Sequence, residues 1–410
     1  MIDLDDVLAA QDRVSDVARH TDLDYSHTFS ELTGAEVHLK LENLQRTGAF
    51  KIRGASNRIK TLPEADRAKG VVTASAGNHA QGVALAATRS GVDSKIVMPE
   101  HAAVSKVKAT EHYGAEVVLH GQDYNAAAEK AHELEATEGR TYVHAFDDDL
   151  TIAGQGTIGL EIVDDLPEVD TVVVPIGGGG LISGIATAVK GHDPDIRVIG
   201  VEPDGAAKVG PSLAAGSIQT LEYVDTIADG LAARRVGDRP FEIIKERVDE
   251  VVTVSDSDVA VALTQALERA KLLLEGAGAV PLAAILESAF DFEEGEVIVP
   301  VLSGGNIDMN TLTTVLIRGL VETGRYLKIR TVLPDRPGAL QDLSTRIAEM
   351  RANIYAFQHD RTSRGIGMND AEVEIELETR GPEHVDELVD YLRESGYEVD
   401  VLTGGRARVV

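Results

Sequence analysis

Two short runs constrain this chain more than any other feature. Thr171-Val172-Val173-Val174-Pro175-Ile176 and Glu296-Val297-Ile298-Val299-Pro300-Val301-Leu302 are of strand length and apolar on both faces. Such strands suit a parallel sheet covered by helices on each side, because neither face can meet water. From about residue 36 to 320, β-branched runs of this kind alternate with helical patterns. Strand then helix, repeated, predicts an α/β fold with a mostly parallel sheet. Ser255 to Leu274 reads as one long helix, capped by Ser255, with Val259, Leu263, Leu267 and Leu274 at helical spacing.

The pattern changes near Gly324. Tyr326 to Leu333 reads as a strand, Pro337 to Met350 as a helix, and Asn353 to His359 as a strand. Ala371 to Glu378 alternates acidic and apolar residues, which suits a half-exposed strand. Pro382 to Arg393 is a helix with proline in its first turn, and Tyr397 to Leu402 a last strand. That order, βαββαβ, is a ferredoxin-like unit. The expected organisation is therefore a first domain over 1–323 and a second over 326–410.

Composition removes several classes of function. The 410 residues contain no cysteine, which excludes disulfides, thiolate metal sites and cysteine nucleophiles. No apolar run approaches the ~20 residues of a membrane span, so no membrane partner is expected. The start, Met1-Ile2-Asp3-Leu4-Asp5-Asp6, is acidic where a signal peptide would be basic and then apolar, so a cytoplasmic protein is expected. Thirty-nine basic residues against sixty-eight acidic ones leave a net charge of −29, which repels nucleic acid. The acidic residues run from Asp3 to Asp400 with no single tail. Dispersed acidity with few lysines points to a halophilic protein; an ordinary soluble protein of low pI is the alternative.

Four segments carry the chemistry. Phe50-Lys51-Ile52-Arg53-Gly54-Ala55 sets a lysine against an aromatic ring at the start of a helix pattern. A lysine in apolar surroundings loses its proton easily and can form a Schiff base. Ser75-Ala76-Gly77-Asn78-His79 follows the strand Gly70-Val71-Val72-Thr73 and opens a helix, offering N–H groups to an anion such as a carboxylate. Gly177-Gly178-Gly179-Gly180-Leu181 follows a buried strand, where glycines let the backbone wrap a phosphate. Ser303-Gly304-Gly305-Asn306 lies at the end of another buried strand, where open α/β sheets bind ligands. By contrast, Gly154-Gln155-Gly156-Thr157-Ile158-Gly159 matches a dinucleotide pattern without a strand before it, and reads as a closely packed helix start. Asp147 to Asp149 reads as a solvated acidic loop.

Taken together and in order, the four segments resemble pyridoxal-phosphate (PLP) enzymes of the tryptophan-synthase β-subunit superfamily, fold type II, and within it the threonine/serine dehydratases. Ile227-Ala228-Asp229-Gly230 matches a dehydratase segment as well. The resemblance implies two open, mostly parallel α/β subdomains, the smaller, about 45–145, inserted in the larger. It implies that Lys51 carries the cofactor as an imine and acts as the catalytic residue, beside Phe50. Asn78 would meet the cofactor's 3′-oxygen, Gly177 to Gly180 with Leu181 its phosphate, and Ser303 its pyridine nitrogen. Ser75, Gly77, Asn78 and His79 would take the substrate carboxylate. Residues 326–410 resemble an ACT regulatory domain, whose effector site would include Asp335, Gly338, Ala339 and Asn353. The implied substrates are L-threonine and L-serine, the implied effector isoleucine or valine, and the implied assembly a homodimer or homotetramer.

Two positions depart from relatives. Ala76 stands where racemases of this group have a second serine, so racemisation is not expected. Lys208 stands where some members have an aspartate beside the residues matching Glu202 and Ala206; a lysine ammonium repels or replaces a divalent cation, so no metal is expected. Glu275 reads either as a lining residue of the active site or as a helix end before Gly276. The expected activity is threonine dehydration with deamination, in isoleucine biosynthesis or threonine catabolism. A serine-preferring lyase, a threonine synthase and a non-catalytic amino-acid sensor are the alternatives.

Overall fold

A computed structural model describes residues 1–363 and 365–403. It divides into two compact units, Met1–Asp308 and Met309–Val410. The division falls before the expected boundary at 323, because the helix Met309–Glu322 groups with the C-terminal unit.

The first unit holds two sheets. In chain order its strands are β1 (Leu23–Tyr25), β2 (Glu36–Lys40), β3 (Val71–Ala74), β4 (Ser94–Met98), β5 (Glu116–Leu119), β6 (Thr141–Tyr142), β7 (Thr171–Pro175), β8 (Arg197–Pro203), β9 (Glu250–Val254) and β10 (Val297–Pro300). The larger sheet runs β1-β2-β10-β7-β8-β9, parallel except for β1. The smaller runs β5-β4-β3-β6 and is wholly parallel. All of β7 is buried, as a strand covered on both faces must be. Its Val172 and Val174 pack with Ile182, Ile185 and Val189 of the following helix, Gly180–His192. Because β3 to β6 fall between β2 and β7 in the chain, the small sheet is an insertion in the large one.

The glycine pattern at 154–159 lies inside the helix Asp149–Asp165 instead of opening it. Its role is close packing. A Cβ on Gly154 would come within 2.6 Å of Gly54, and one on Gly156 within 2.7 Å of the Gly184 carbonyl. Three helices thereby lie almost backbone to backbone: Ile52–Lys60, Asp149–Asp165 and Gly180–His192. The acidic run ahead of this seam is a double cap, not a solvated loop. Asp148 accepts the N–H of Thr151, and Asp147 accepts those of Asp238 and Arg239 at another helix start. The helix opened by Ser255 has the expected cap, but it widens into a π-turn over Ala266–Ala270 and ends at Lys271, whose φ is +62°. It therefore stops short of Leu274.

A buried ionic cluster joins these elements. Arg53, 1% exposed, binds Glu42 through Nε (2.9 Å) and Nη2 (2.7 Å), and Glu161 through Nη1 (2.6 Å) and Nη2 (2.9 Å). Lys40 Nζ meets Glu161 at 2.8 Å and donates to the Thr21 carbonyl at 2.7 Å. Two cations thus balance two carboxylates. Burial alone would raise the Glu161 carboxyl, but Arg53 and Lys40 outweigh it and hold it below its ordinary range.

The second unit follows the expected order. Its strands β11 (Tyr326–Pro334), β12 (Asn353–Asp360), β13 (Asp370–Glu378) and β14 (Asp400–Val401) form an antiparallel sheet, β12-β13-β11-β14. Helices Ala339–Glu349 and Pro382–Glu394 supply Leu343, Ile347, Leu388 and Leu392 to its core. The last strand is shorter than the expected Tyr397 to Leu402. Among the described residues, no helix is long and apolar enough to cross a membrane.

Removing the guanidinium should expose the cost of this cluster. Arg53→Ala leaves Glu42 and Glu161 buried with one cation between them, and should destabilise the chain by about 3–5 kcal/mol. A urea denaturation midpoint unchanged from wild type would contradict that expectation.

Candidate active site

The chemistry-bearing segments leave the C-terminal ends of parallel strands, where such sheets place their ligands. Ser75 to Gly77 follows β3, Gly177 to Gly179 follows β7, and Ser303 follows β10. Lys51 precedes the helix Ile52–Lys60, which the glycine seam presses against the other two. These segments close on one cavity of about 600 Å³. Phe50, Lys51, Ser75, Gly77, Asn78, His79, Gly177, Gly178, Gly179, Gly180, Leu181 and Ser303 all line it. Ala76 does not: its methyl packs on the apolar core of the small subdomain.

The local conformations follow from the residues. Gly179 adopts φ +92° and caps the helix Gly180–His192, a backbone state that disfavours side chains. Cβ atoms on Gly178 and Gly180 would fall 2.3 and 2.9 Å from Phe146, so only glycine lets this loop lie flush against that residue. The first N–H groups of the helix then have no intrahelical partner and form the cavity wall. Gly77, extended and with open space where a Cβ would stand, is the N-cap position of the helix Asn78–Arg89.

Lys51 presents its amine to this cavity. Its Nζ lies 4.9 Å from the Phe50 ring centroid and donates to the Ala145 carbonyl at 3.1 Å. The side chain is half-buried and its amine lies deep in the wall. Desolvation lowers its pKa to about 8, against the opposing pull of Glu275. His79 Nε2 donates to the Val143 carbonyl at 2.9 Å, which fixes the neutral ring's proton on that nitrogen. Its Nδ1 is buried with no hydrogen-bond partner among the described residues. Burial first, and then Lys51, push this imidazole down to about 3, so it is neutral.

Glu275, read from sequence as either a lining residue or a helix end, lines the cavity, and Asn306, the last residue of the Ser303 segment, meets it through Asn78. Glu275 accepts from Asn78 Nδ2 at 2.6 Å, and Asn306 Nδ2 donates to Asn78 Oδ1 at 2.8 Å. The Asn78 amide is thereby held at both ends. Desolvation raises the Glu275 carboxyl to about 7, although the Asn78 N–H opposes it. Glu275 does not end the preceding helix; it is the N-cap position of Gly276–Leu286. The available signal was Gly304: a Cβ there would lie 2.4 Å from Glu275 Oε1.

Lys208 is fully buried. Its Nζ meets Glu202 Oε1 (3.0 Å) and the carbonyls of Ala206 (3.0 Å) and Ile176 (3.5 Å). An ammonium therefore sits among oxygen acceptors that would otherwise suit a hard cation. In the second unit, Gly338 has φ +94° and caps the helix Ala339–Glu349, with Ala339 buried beside it. Asp335 pairs with Arg361 Nε at 2.9 Å, and Asn353 Nδ2 donates to Glu378 at 2.9 Å.

A deep amine of low pKa, a glycine-lined helix end for a phosphate and a buried hydroxyl for a ring nitrogen converge on one cavity of ligand size. The buried, unpartnered His79 Nδ1 in its wall adds a free acceptor. This set fits a phosphorylated pyridine aldehyde. Residues 14–304 match the family model "Pyridoxal-phosphate dependent enzyme". The chain belongs to that family, and its parallel-sheet subdomains are those of fold type II.

Particular relatives are similar over nearly the whole length. An L-threonine ammonia-lyase of Geobacter sulfurreducens is 51% identical over 393 residues, covering 96% of this chain and 98% of that protein. One of Thermotoga maritima is 46% identical over 402 residues, covering 98% and 100%. The solved structure of the processed form of threonine deaminase isoform 2 from Solanum lycopersicum is 41% identical with a TM-score of 0.74, covering 76% of this chain and 91% of that one.

Two outcomes are expected of the site. Lys51→Ala should abolish the visible adduct with PLP and lower turnover by several orders of magnitude, since covalent bonding and proton transfer are lost together. In the cofactor-free wild type, adduct formation should accelerate about tenfold per pH unit and level off above about 8, where the amine is neutral. A pH-independent rate would contradict the depressed amine. For Lys208, the wild type should keep its melting temperature in EDTA and in millimolar Mg²⁺. Lys208→Asp, which replaces the ammonium with a second carboxylate, should make the melting temperature rise with Mg²⁺.

Proposed function

We propose that this chain is an L-threonine ammonia-lyase that converts L-threonine to 2-oxobutanoate and ammonia, and L-serine to pyruvate and ammonia. The observation that carries this reading is the 51% and 46% identity to L-threonine ammonia-lyases along almost their full lengths. The assembled cavity supports it independently.

When bound, PLP supplies an electron sink for the bond broken at the substrate's α-carbon. The chain's residues do the rest. Lys51 binds the cofactor and, once released, is the base that takes the α-proton at Nζ; a pKa of about 8 leaves it a usable fraction of free amine near neutrality. The N–H groups at Gly177 to Gly180 and Leu181 hold the phosphate at a helix N-terminus. Ser75, Gly77, Asn78 and His79 receive the substrate carboxylate at the other helix start. Asn78, clamped between Glu275 and Asn306, keeps its orientation when substrate enters. Ser303, whose hydroxyl donates to the Ala277 carbonyl at 3.3 Å, would offer its oxygen to the ring nitrogen. A neutral partner does not hold that nitrogen protonated as a carboxylate would, which favours elimination over transamination. Ala76, at the position where racemases carry a second serine, has no proton to give, so racemisation is not expected.

Residues 326–410 act as an ACT regulatory domain for a branched-chain amino acid, isoleucine or valine. The βαββαβ order supports this, as does the relatives' coverage of the C-terminal unit. The effector would bind near Asp335, Gly338, Ala339 and Asn353. The protein would work in the cytoplasm as a homodimer or homotetramer, in isoleucine biosynthesis or threonine catabolism. Its −29 charge supports function at high salt, where the Debye length falls to ~3 Å and self-repulsion is screened.

The function is tested by oxo-acid release from threonine and serine, with D-serine assayed in parallel. Oxo acid from threonine, with D-serine absent, is expected; D-serine formed as fast as pyruvate would refute the Ala76 argument. Isoleucine or valine should shift the apparent threonine affinity by 5- to 150-fold. Asn353→Ala should remove that response and leave basal turnover intact. An unresponsive wild type would defeat the regulatory assignment.

A further inference from the structure

One short strap touches His79, Lys51 and the tetraglycine loop together. Residues 143–149 run from β6 of the small sheet to the helix Asp149–Asp165. The Val143 carbonyl takes Thr73 Oγ1 and His79 Nε2, each at 2.9 Å. The Ala145 carbonyl takes Lys51 Nζ at 3.1 Å. Phe146 lies against the tetraglycine loop, within 2.3 Å of where a Cβ on Gly178 would stand. Asp147 and Asp148 cap two helices.

His144 holds this turn from within. Its Nδ1 faces two backbone donors, the N–H of Phe146 (3.2 Å) and that of Asp147 (2.8 Å). Its ring stands edge-on to Phe146, with centroids 4.7 Å apart. Two donors require a lone pair, so the neutral ring carries its proton on Nε2. A protonated ring would turn a third donor toward those two and release the turn.

We propose that His144 is a positioning residue for Lys51: its neutral imidazole fixes the turn whose Ala145 carbonyl holds the ε-amine between rounds of bonding to the cofactor. The inference rests on Lys51 as the cofactor-binding lysine. The surroundings keep the ring neutral. Desolvation lowers its pKa; Asp147 and Asp148 oppose this, while Lys51 and His132 add to it. Those two carboxylates are themselves engaged, Asp148 with Arg58 (3.3 Å) and Asp147 with Arg239 (3.8 Å). His79 and Tyr142, the other titratable groups beside the strap, add no negative charge near neutrality, since His79 is neutral and Tyr142 is held protonated by burial.

The test uses the full chain freed of cofactor and mixed with PLP, following the visible absorbance of the Lys51 adduct from pH 5 to 9. His144→Ala removes the acceptor. His144→Asn sets a carbonyl oxygen near the place of Nδ1, and that oxygen accepts at every pH. At pH 8, His144→Ala should form the adduct about 100-fold more slowly, the loss expected from ~1 Å of misplacement. His144→Asn should recover most of that rate. Below the ordinary histidine range near ~6.5 the wild-type rate should fall more steeply than Lys51 ionisation requires, and the Asn variant's should not. Glu275 titrates alike in both and cancels. In steady state, His144→Ala should lower kcat for threonine and leave KM little changed. An Ala variant that reacts at the wild-type rate, or an Asn variant that keeps the steeper acid fall, overturns the proposal. If His144→Ala does not fold, the Asn comparison alone decides. No adduct in the wild type would defeat the reading of Lys51 itself, a result distinct from either.

Discussion

The site depends on a buried ion cluster two residues from the lysine in its wall. Arg53 lies in the first turn of the helix that Lys51 opens, and its guanidinium binds Glu42 and Glu161 from different parts of the chain. Lys40, on β2, completes the balance. A buried pair gains little over a well-packed apolar core, because desolvation offsets most of the attraction. It does specify geometry, since a planar guanidinium accepts two carboxylates only at fixed angles. Here that geometry sets where the helix begins, and so where the Lys51 amine points.

The glycines serve the same end by other means. Gly54, Gly154, Gly156 and Gly184 let three helices meet backbone to backbone. Two of those helices begin at the cavity, one with Lys51 and one with the tetraglycine loop. Ion cluster and glycine seam thus fix the distance between an amine and an anion-binding helix end. The strap at 143–149 adds the third point, holding Lys51 by a carbonyl and the loop by an aromatic ring.

Much of this was legible in the residues. The strands at β7 and β10 were plain from their apolar faces, and the four motif segments that follow strands or open helices do meet at one cavity. The antiparallel second unit was legible because its strands alternate and its helices carry proline or glycine at their starts. The glycine pattern at 154–159 is close-packed as read but lies within a helix, where distant Gly54 and Gly184 meet it. The acidic run at 147–149 was judged by near neighbours in sequence, whereas Asp147 is engaged by the N–H groups of Asp238 and Arg239. The helix expected to run to Leu274 is ended locally, by the turn at Lys271.

The sequence by itself determined the class of fold, the local setting of Lys51 and the glycine loop at a helix start. These are properties of runs of under ten residues, where periodicity and backbone freedom act locally. Only the tertiary structure decided that Glu275 holds Asn78 from 197 positions away, that Lys208 fills a cage of oxygens, and that His144 locks the turn gripping Lys51. Each of those depends on burial, which raises one carboxyl, lowers two bases and leaves a hydrogen bond only one geometry. Burial is created when separate elements close over one another, and no short run of residues records it.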